Sequence, residues 1–126
     1  MNIRKSTEAD FASIGEIIAL YPDTLMQTHL PRPDEFFIAE EGGTIVGCCA
    51  LEVYSQRLAE VRSLAVLPDH QGKGIATMLI EKCLDEAKAL GVYEVLTITG
   101  ATSLFEKQGF GSFNKEKFAL FKILAD

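Results

Sequence analysis

One run, Leu64-Ala65-Val66-Leu67-Pro68-Asp69-His70-Gln71-Gly72-Lys73-Gly74-Ile75-Ala76, narrows the folds open to this chain more than any other feature. A β-rich segment ends at Pro68, a turn with two glycines follows, and a helical pattern begins at Ile75. The first amides of a helix have no carbonyl of their own helix to bond, and they sit at the positive end of its dipole. Gly72, Gly74 and the small Ala76 let a ligand approach the backbone closely, which suits an anion such as a diphosphate. The same glycines also serve a plain tight turn, and the residues alone leave both readings open. Two common nucleotide motifs are missing: G-x-x-x-x-G-K-[ST] is absent, and G-x-G-x-x-G fails at Thr77.

The flanking patterns supply the rest of an α/β domain. Ile3 to Ser6 reads as a strand, and Thr7 with Asp10 forms a variant capping box before Phe11, Ile14, Ile17, Ile18 and Tyr21 at helical spacing. Pro22 stops that helix, and residues 22–35 are irregular, with a short helical turn expected near Leu25 to His29. Strands follow at Phe36–Glu40, Thr44–Leu51 and Ala59–Val66, joined by turns at Gly42-Gly43 and near Ser55-Gln56. After the long helix, Ile75 to Leu90 with Gly91 as its stop, come a strand over Val92–Thr99 and a short helix at Ser103–Lys107. A final hairpin is expected from Phe110–Phe113 and Phe118–Leu124. The predicted order is β-α-β-β-β-α-β-α-β-β around a mixed sheet, a single domain over residues 1–126.

Composition excludes several functions. The 126 residues carry a net charge of −6, which opposes non-specific binding to nucleic acid or anionic membranes. No apolar run approaches the roughly 20 residues of a membrane span, and Met1-Asn2-Ile3-Arg4-Lys5 opens no signal peptide. Cys48, Cys49 and Cys83 lack metal-ligand spacing and read as core thiols of a cytoplasmic protein, with Cys48 and Cys49 facing opposite sides of one strand. His29 and His70 stand apart from other ligand residues, so no metal site is expected; His70 is expected in solvent beside the glycine turn.

Gln71-Gly72-Lys73-Gly74-Ile75-Ala76 resembles the Q/R-x-x-G-x-G/A loop of the GNAT superfamily of N-acetyltransferases. Leu64-Ala65-Val66-x-Pro68 is similar to that family's cofactor strand, and Leu104-Phe105-Glu106-Lys107-Gln108-Gly109-Phe110 to its closing F-Y-E-K-x-G-F element. Ile3-Arg4-Lys5-Ser6-Thr7-x-x-Asp10 and Ile45-Val46-Gly47 match in order, so the resemblance spans nearly the whole chain. Leu30-Pro31-Arg32-Pro33 with Phe36–Glu40 and Ala59–Val66 is similar to the acetyltransferase domain of N-acetylglutamate synthase and its small stand-alone relatives. Against that likeness, residues 99–103 lack an Arg-Ser pair, and no amino-acid-kinase domain is expected within residues 1–126.

The resemblance implies acetyl-CoA as co-substrate and a sheet splayed at the cofactor strand. It places the diphosphate on the amides of Gly72, Lys73, Gly74, Ile75, Ala76 and Thr77, beside Gln71. The pantetheine arm falls along Leu64, Ala65 and Val66, with Phe105 beside the thioester. Glu60 becomes the general base, because an amine of pKa about 10.4 must lose a proton before it attacks. Arg32 and Arg62 become candidates to hold an acceptor carboxylate, and Tyr54 a further acceptor contact. Two departures stand out: Phe105 occupies the place of the tyrosine that protonates the leaving thiolate, and Ile98 that of a frequent asparagine. The implied acceptor is a small-molecule amine, an amino acid such as glutamate first. Peptide N-acetylation and acyl-CoA sensing with little turnover stay open beside it. A homodimer through the tail aromatics Phe110, Phe113, Phe118 and Phe121 is also implied, although the same rings could close the chain's own core.

Overall fold

The computed structural model describes residues 1–112 and 120–124. Its strands are β1 (Asn2–Lys5), β2 (Phe36–Glu41), β3 (Thr44–Val53), β4 (Leu58–Val66) and β5 (Glu94–Leu96). Its helices are α1 (Phe11–Ile18), α2 (Ile75–Ala89) and α3 (Thr102–Glu106). The strands lie in chain order in one sheet, antiparallel from β1 to β4 and parallel between β4 and β5. Two parallel neighbours need a crossover, and α2 supplies it.

The sheet is covered on both faces, so its central strands are apolar without alternation. Phe36, Phe37, Ile38 and Ala39 are all buried in β2. Phe36, Ile38, Cys48 and Ala50 pack with Ile14, Ile17 and Ile18 of α1. Phe37, Ala39, Cys49, Leu51 and Val61 pack with Ile75, Leu79 and Cys83 of α2. Adjacent Cys48 and Cys49 thus serve opposite layers, as the strand reading expects. All three thiols are free, and burial pushes that of Cys48 up to about 12, so it is inert at neutral pH.

Helix α2 lies close to β3 because Gly47 has no side chain. A Cβ there would stand 3.2 Å from the Ala65 carbonyl, Ile75 Cγ2 and Leu79 Cδ1. The helix ends as expected at Gly91, whose φ of +74° allows two closing bonds: Gly91 N–H to the Lys88 carbonyl and Val92 N–H to the Ala87 carbonyl, both 3.0 Å. Leu90, expected on the apolar stripe, caps the helix and is half exposed, while Ile80 is buried instead.

Three expectations need correction. Leu25 to His29 form no helical turn; the short helical element of that region is a 3-10 turn at Pro33–Glu35, entered through Pro33 at its first position. Strand β5 is shorter than Val92–Thr99, because its ladder with β4 stops at Glu60 opposite Leu96. The expected final hairpin is absent from Phe110–Ser112 and Leu120–Leu124, and the rest of it lies outside the described residues. Apolar content makes a strand only where an edge is there to pair with, and Leu120, Phe121, Ile123 and Leu124 are largely exposed.

The N-terminal capping box is present and is more heavily bonded than its spacing suggests. Asp10 accepts the Thr7 N–H at 2.8 Å and both arms of Arg4 at 2.9 and 3.0 Å. The Arg4 guanidinium thereby holds the Asp10 carboxyl far below its ordinary value of 3.8. Folded Asp10 stays ionised at pH values where the unfolded chain has already taken up the proton. Its contribution is complete above about pH 4 and is lost as pH falls further. Asp10→Asn is expected to cost about 1–3 kcal/mol at pH 7 by denaturant unfolding, and clearly less at pH 3; an equal loss at both would contradict this assignment. Gly47→Ala is expected to cost about 1–3 kcal/mol by overpacking α2 against β3, and an unchanged unfolding midpoint would contradict the close approach described above.

Candidate functional site

The junction from β4 to α2 is open to ligand on its outer side. Gly72 and Gly74 have φ of +77° and +82°, where a side chain would strain the backbone, and a Cβ at either would meet nothing within 4 Å. Gly74 is the N-cap of α2, and no side chain caps the first turn. The amides of Ile75, Ala76 and Thr77 therefore have no intrahelical acceptor. Gln71 and Lys73 are exposed beside them. His70, expected in solvent, is half-buried, with its Nε2 4.0 Å from Glu41.

Upstream of this turn β4 parts from β5. The parallel rungs run Leu58–Glu94, Ala59–Val95 and Glu60–Leu96 and end there. Thr97 still reaches across to donate its hydroxyl to the Val61 carbonyl at 2.9 Å. Beyond that, Ser63 adopts φ of +58°, and the β3–β4 register shifts at the same place. This is a bulge, which adds a residue to β4 and bends it. Among the described residues, no strand lies beside the edge of β4 from Leu64 to Val66 on that side. Leu67 N–H donates to the Val46 carbonyl at 2.8 Å, so Leu67 faces β3. Alternation then turns the N–H and C=O of Val66 towards the open side.

Glu60 stands at the last rung before the parting. Its register partner on β3 is Glu52, and like charges placed opposite one another are unfavourable without compensation. Arg62 compensates Glu52 at 2.9 Å, and the Tyr54 hydroxyl bonds Glu60 at 2.5 Å and lies 3.3 Å from Glu52. Burial first, then the Glu60 hydrogen bond, raises the Tyr54 phenol well above its ordinary range, so it remains a donor at neutral pH. Glu60, Tyr54 and Phe105 line one groove of about 1130 Å³ beside β5, together with Thr97 and Thr102. Phe105 is buried, with its ring edge-on to Phe110 at 5.3 Å.

The two arginines differ. Arg62 is committed: besides Glu52, its guanidinium donates to the His29 carbonyl at 3.0 Å and so holds residues 22–35 against β4. Arg32 is largely exposed and pairs with Asp34 at 3.1 Å. Asp34 first, then Glu35, raises its pKa. The site thus brings Glu60, Tyr54 and Arg62 together through Glu52, whereas the Arg32 guanidinium is engaged by Asp34 and Glu35. Among the described residues no three His, Cys, Asp or Glu side chains converge as a metal site would require, and no helix is long and apolar enough to cross a membrane.

Two residues of the site were missed from sequence. Glu52 carried a usable signal, since centring the predicted hairpin on Gln56 sets it opposite Glu60. Tyr21 carried none. It reads as one more apolar position of α1, yet its hydroxyl donates to the Val66 carbonyl.

Known proteins resemble this chain over most of its length. An uncharacterised N-acetyltransferase of Chlorobaculum tepidum is 40% identical over 84 residues, covering 67% of this chain and 54% of that protein. An amino-acid acetyltransferase of Mycobacterium tuberculosis is 29% identical over 116 residues, covering 86% of this chain and 67% of that protein. A Mycobacterium tuberculosis crystal structure in complex with CoA superposes with a TM-score of 0.85 at 29% identity, covering 90% of this chain and 74% of the other. This chain therefore spans little more than half the length of its Chlorobaculum relative. The acetyltransferase (GNAT) family model matches residues 3–110, and with the splayed sheet and glycine turn in place, the chain belongs to that family.

Proposed function

We propose that this protein is an acetyl-CoA-dependent N-acetyltransferase that transfers the acetyl group directly to an amine. The observation that carries the reading is the pairing of an open β4 edge at Leu64–Val66 with an uncapped glycine turn running into α2. The amides of Gly72 to Thr77 suit the diphosphate, with Gln71 and Lys73 beside it. The open edge along Leu64, Ala65 and Val66, where Val66 presents its N–H, suits the amide-bearing pantetheine arm, which would lie there as an added strand. Acetyl-CoA supplies an activated acyl carbon as a thioester.

The residues at the parting of the strands do the proton work. An alkyl ammonium of pKa about 10.4 has no free lone pair at neutral pH. Glu60 accepts its proton directly or through a water, and the nitrogen then forms the new C–N bond as the C–S bond breaks. Tyr54 holds the Glu60 carboxylate in place, and a main-chain amide of β4 stabilises the developing oxyanion. Phe105 offers no proton to the thiolate, but a thiol of ordinary pKa about 8.5 leaves without one. The nitrogen gives up its second proton to water as the amide forms, the thiolate takes one proton from water, and Glu60 returns the first to solvent.

For the acceptor we favour a small amine, an amino acid such as glutamate first. Relatives named amino-acid acetyltransferase support this, and so does Arg32, whose exposed guanidinium can turn from Asp34 to an acceptor carboxylate. Arg62 serves the same site by fixing the wall formed by residues 22–35.

Thiol release from acetyl-CoA, measured with free amino acids, polyamines and peptides as acceptors, tests the reading. Turnover with an amino acid such as glutamate is expected; turnover with peptides alone, or CoA binding with no turnover, would overturn it. Glu60→Gln is expected to lower kcat at pH 7 by roughly 10²-fold or more, with a smaller loss at pH 9 and CoA affinity unchanged. Activity equal to wild type across that range would remove Glu60 from the mechanism.

A further inference from the structure

Tyr21 links the segment after α1 to the two ends of the glycine-turn junction. Its hydroxyl donates to the carbonyl of Val66, the last residue of β4, 45 positions away in the chain. The same hydroxyl accepts a hydrogen bond from Nε2 of Gln71 at 2.9 Å, and that nitrogen lies 3.4 Å from the Val66 carbonyl. The Tyr21 backbone is itself held, since its carbonyl accepts the Leu25 N–H at 3.0 Å and the Gln27 amide at 3.4 Å. The ring is half-buried, so the hydroxyl is delivered to one place.

The chemistry of that place gives the bond a purpose. Val66 turns both its N–H and its C=O to the open edge, immediately before the turn whose amides would hold an anion. An unsatisfied carbonyl there would present the negative end of a peptide dipole towards the incoming diphosphate. Tyr21 and Gln71 occupy that oxygen and leave the Val66 N–H as the group the edge presents. We propose that Tyr21 is a positioning residue of the cofactor site. It caps the Val66 carbonyl and holds Gln71, so that the end of the edge next to the turn is left with donors facing the ligand. This rests on the reading that the turn takes the diphosphate of coenzyme A.

The test compares three probes, CoA, inorganic pyrophosphate and pantetheine, by calorimetric titration of wild type and Tyr21→Phe, alongside thermal unfolding of the free proteins. Tyr21→Phe is expected to weaken CoA and pyrophosphate alike by about fivefold to tenfold, the size of one hydrogen bond. Pantetheine affinity and the midpoint of unfolding should stay near wild type. Unchanged CoA affinity would overturn the inference, and so would an equal loss for all three probes with a lowered midpoint, which marks a merely structural bond. Wild-type protein that takes up no CoA would instead overturn the proposed function, and this inference with it. A second variant, Gln71→Leu, is expected to reproduce the selective loss; full pyrophosphate affinity in that variant would count against a role for the Tyr21–Gln71 pair.

Discussion

The parting of β4 from β5 is the constraint on which the rest depends. Parallel strands normally keep their ladder for as long as both persist, because an abandoned edge leaves hydrogen-bonding groups without partners. Here the ladder ends at Glu60 and Leu96 although β4 continues to Val66. The bulge at Ser63, in a left-handed conformation uncommon for serine, bends β4 at the point where its partner is lost. A backbone conformation of this kind costs free energy, of order 1–3 kcal/mol, and persists where the surroundings impose it. The packing of α2 against β3 through Gly47 does so from one side, and the pairing of Cys48 and Gly47 with Ala65 and Val66 does so from the other.

That one departure from regularity places the other parts. Because β4 runs straight into the turn and α2, the open edge and the free first-turn amides are continuous, and an extended ligand can use both. Because the rungs stop at Glu60, a carboxylate stands where the edge begins. Its opposite number, Glu52, is neutralised by Arg62, and Arg62 in turn fastens residues 22–35 through the His29 carbonyl. The same loop is fastened at its start through Tyr21 and Val66. Tyr21 and His29 therefore tie this segment to both ends of the open stretch of β4, although residues 22–35 contain no helix or strand beyond a single 3-10 turn. In the proposed reading this wall faces the acceptor.

The parts legible in sequence were those written in local pattern. The glycine turn, the long helix with its Gly91 stop, the hairpin glycines and the opposite facing of Cys48 and Cys49 all follow from periodicity and backbone preference. The structure moved strand and helix ends by up to three residues, and β5 is short because its ladder with β4 stops at Leu96. The final hairpin is a different case. Apolar residues at 120–124 satisfy strand propensity, but a strand is a property of two edges, and sequence names only one of them. The site followed the same division. Gly72, Gly74 and Glu60 were readable from position, and Glu52 from hairpin register. Tyr21 was not, because a hydroxyl that finds a carbonyl 45 residues away leaves no local trace. Arg62 was expected to hold an acceptor carboxylate, and its commitment to Glu52 and His29 instead could be seen only in three dimensions.

The account stands on a diphosphate seated at the β4–α2 junction, and backbone amide NMR shifts on addition of CoA report on that directly. With saturating CoA the largest shifts are expected at Leu64 to Val66 and at Gly72 to Thr77, with smaller ones along α1 and β1. An unchanged spectrum at those residues, or shifts gathered on another face of the sheet, would contradict it.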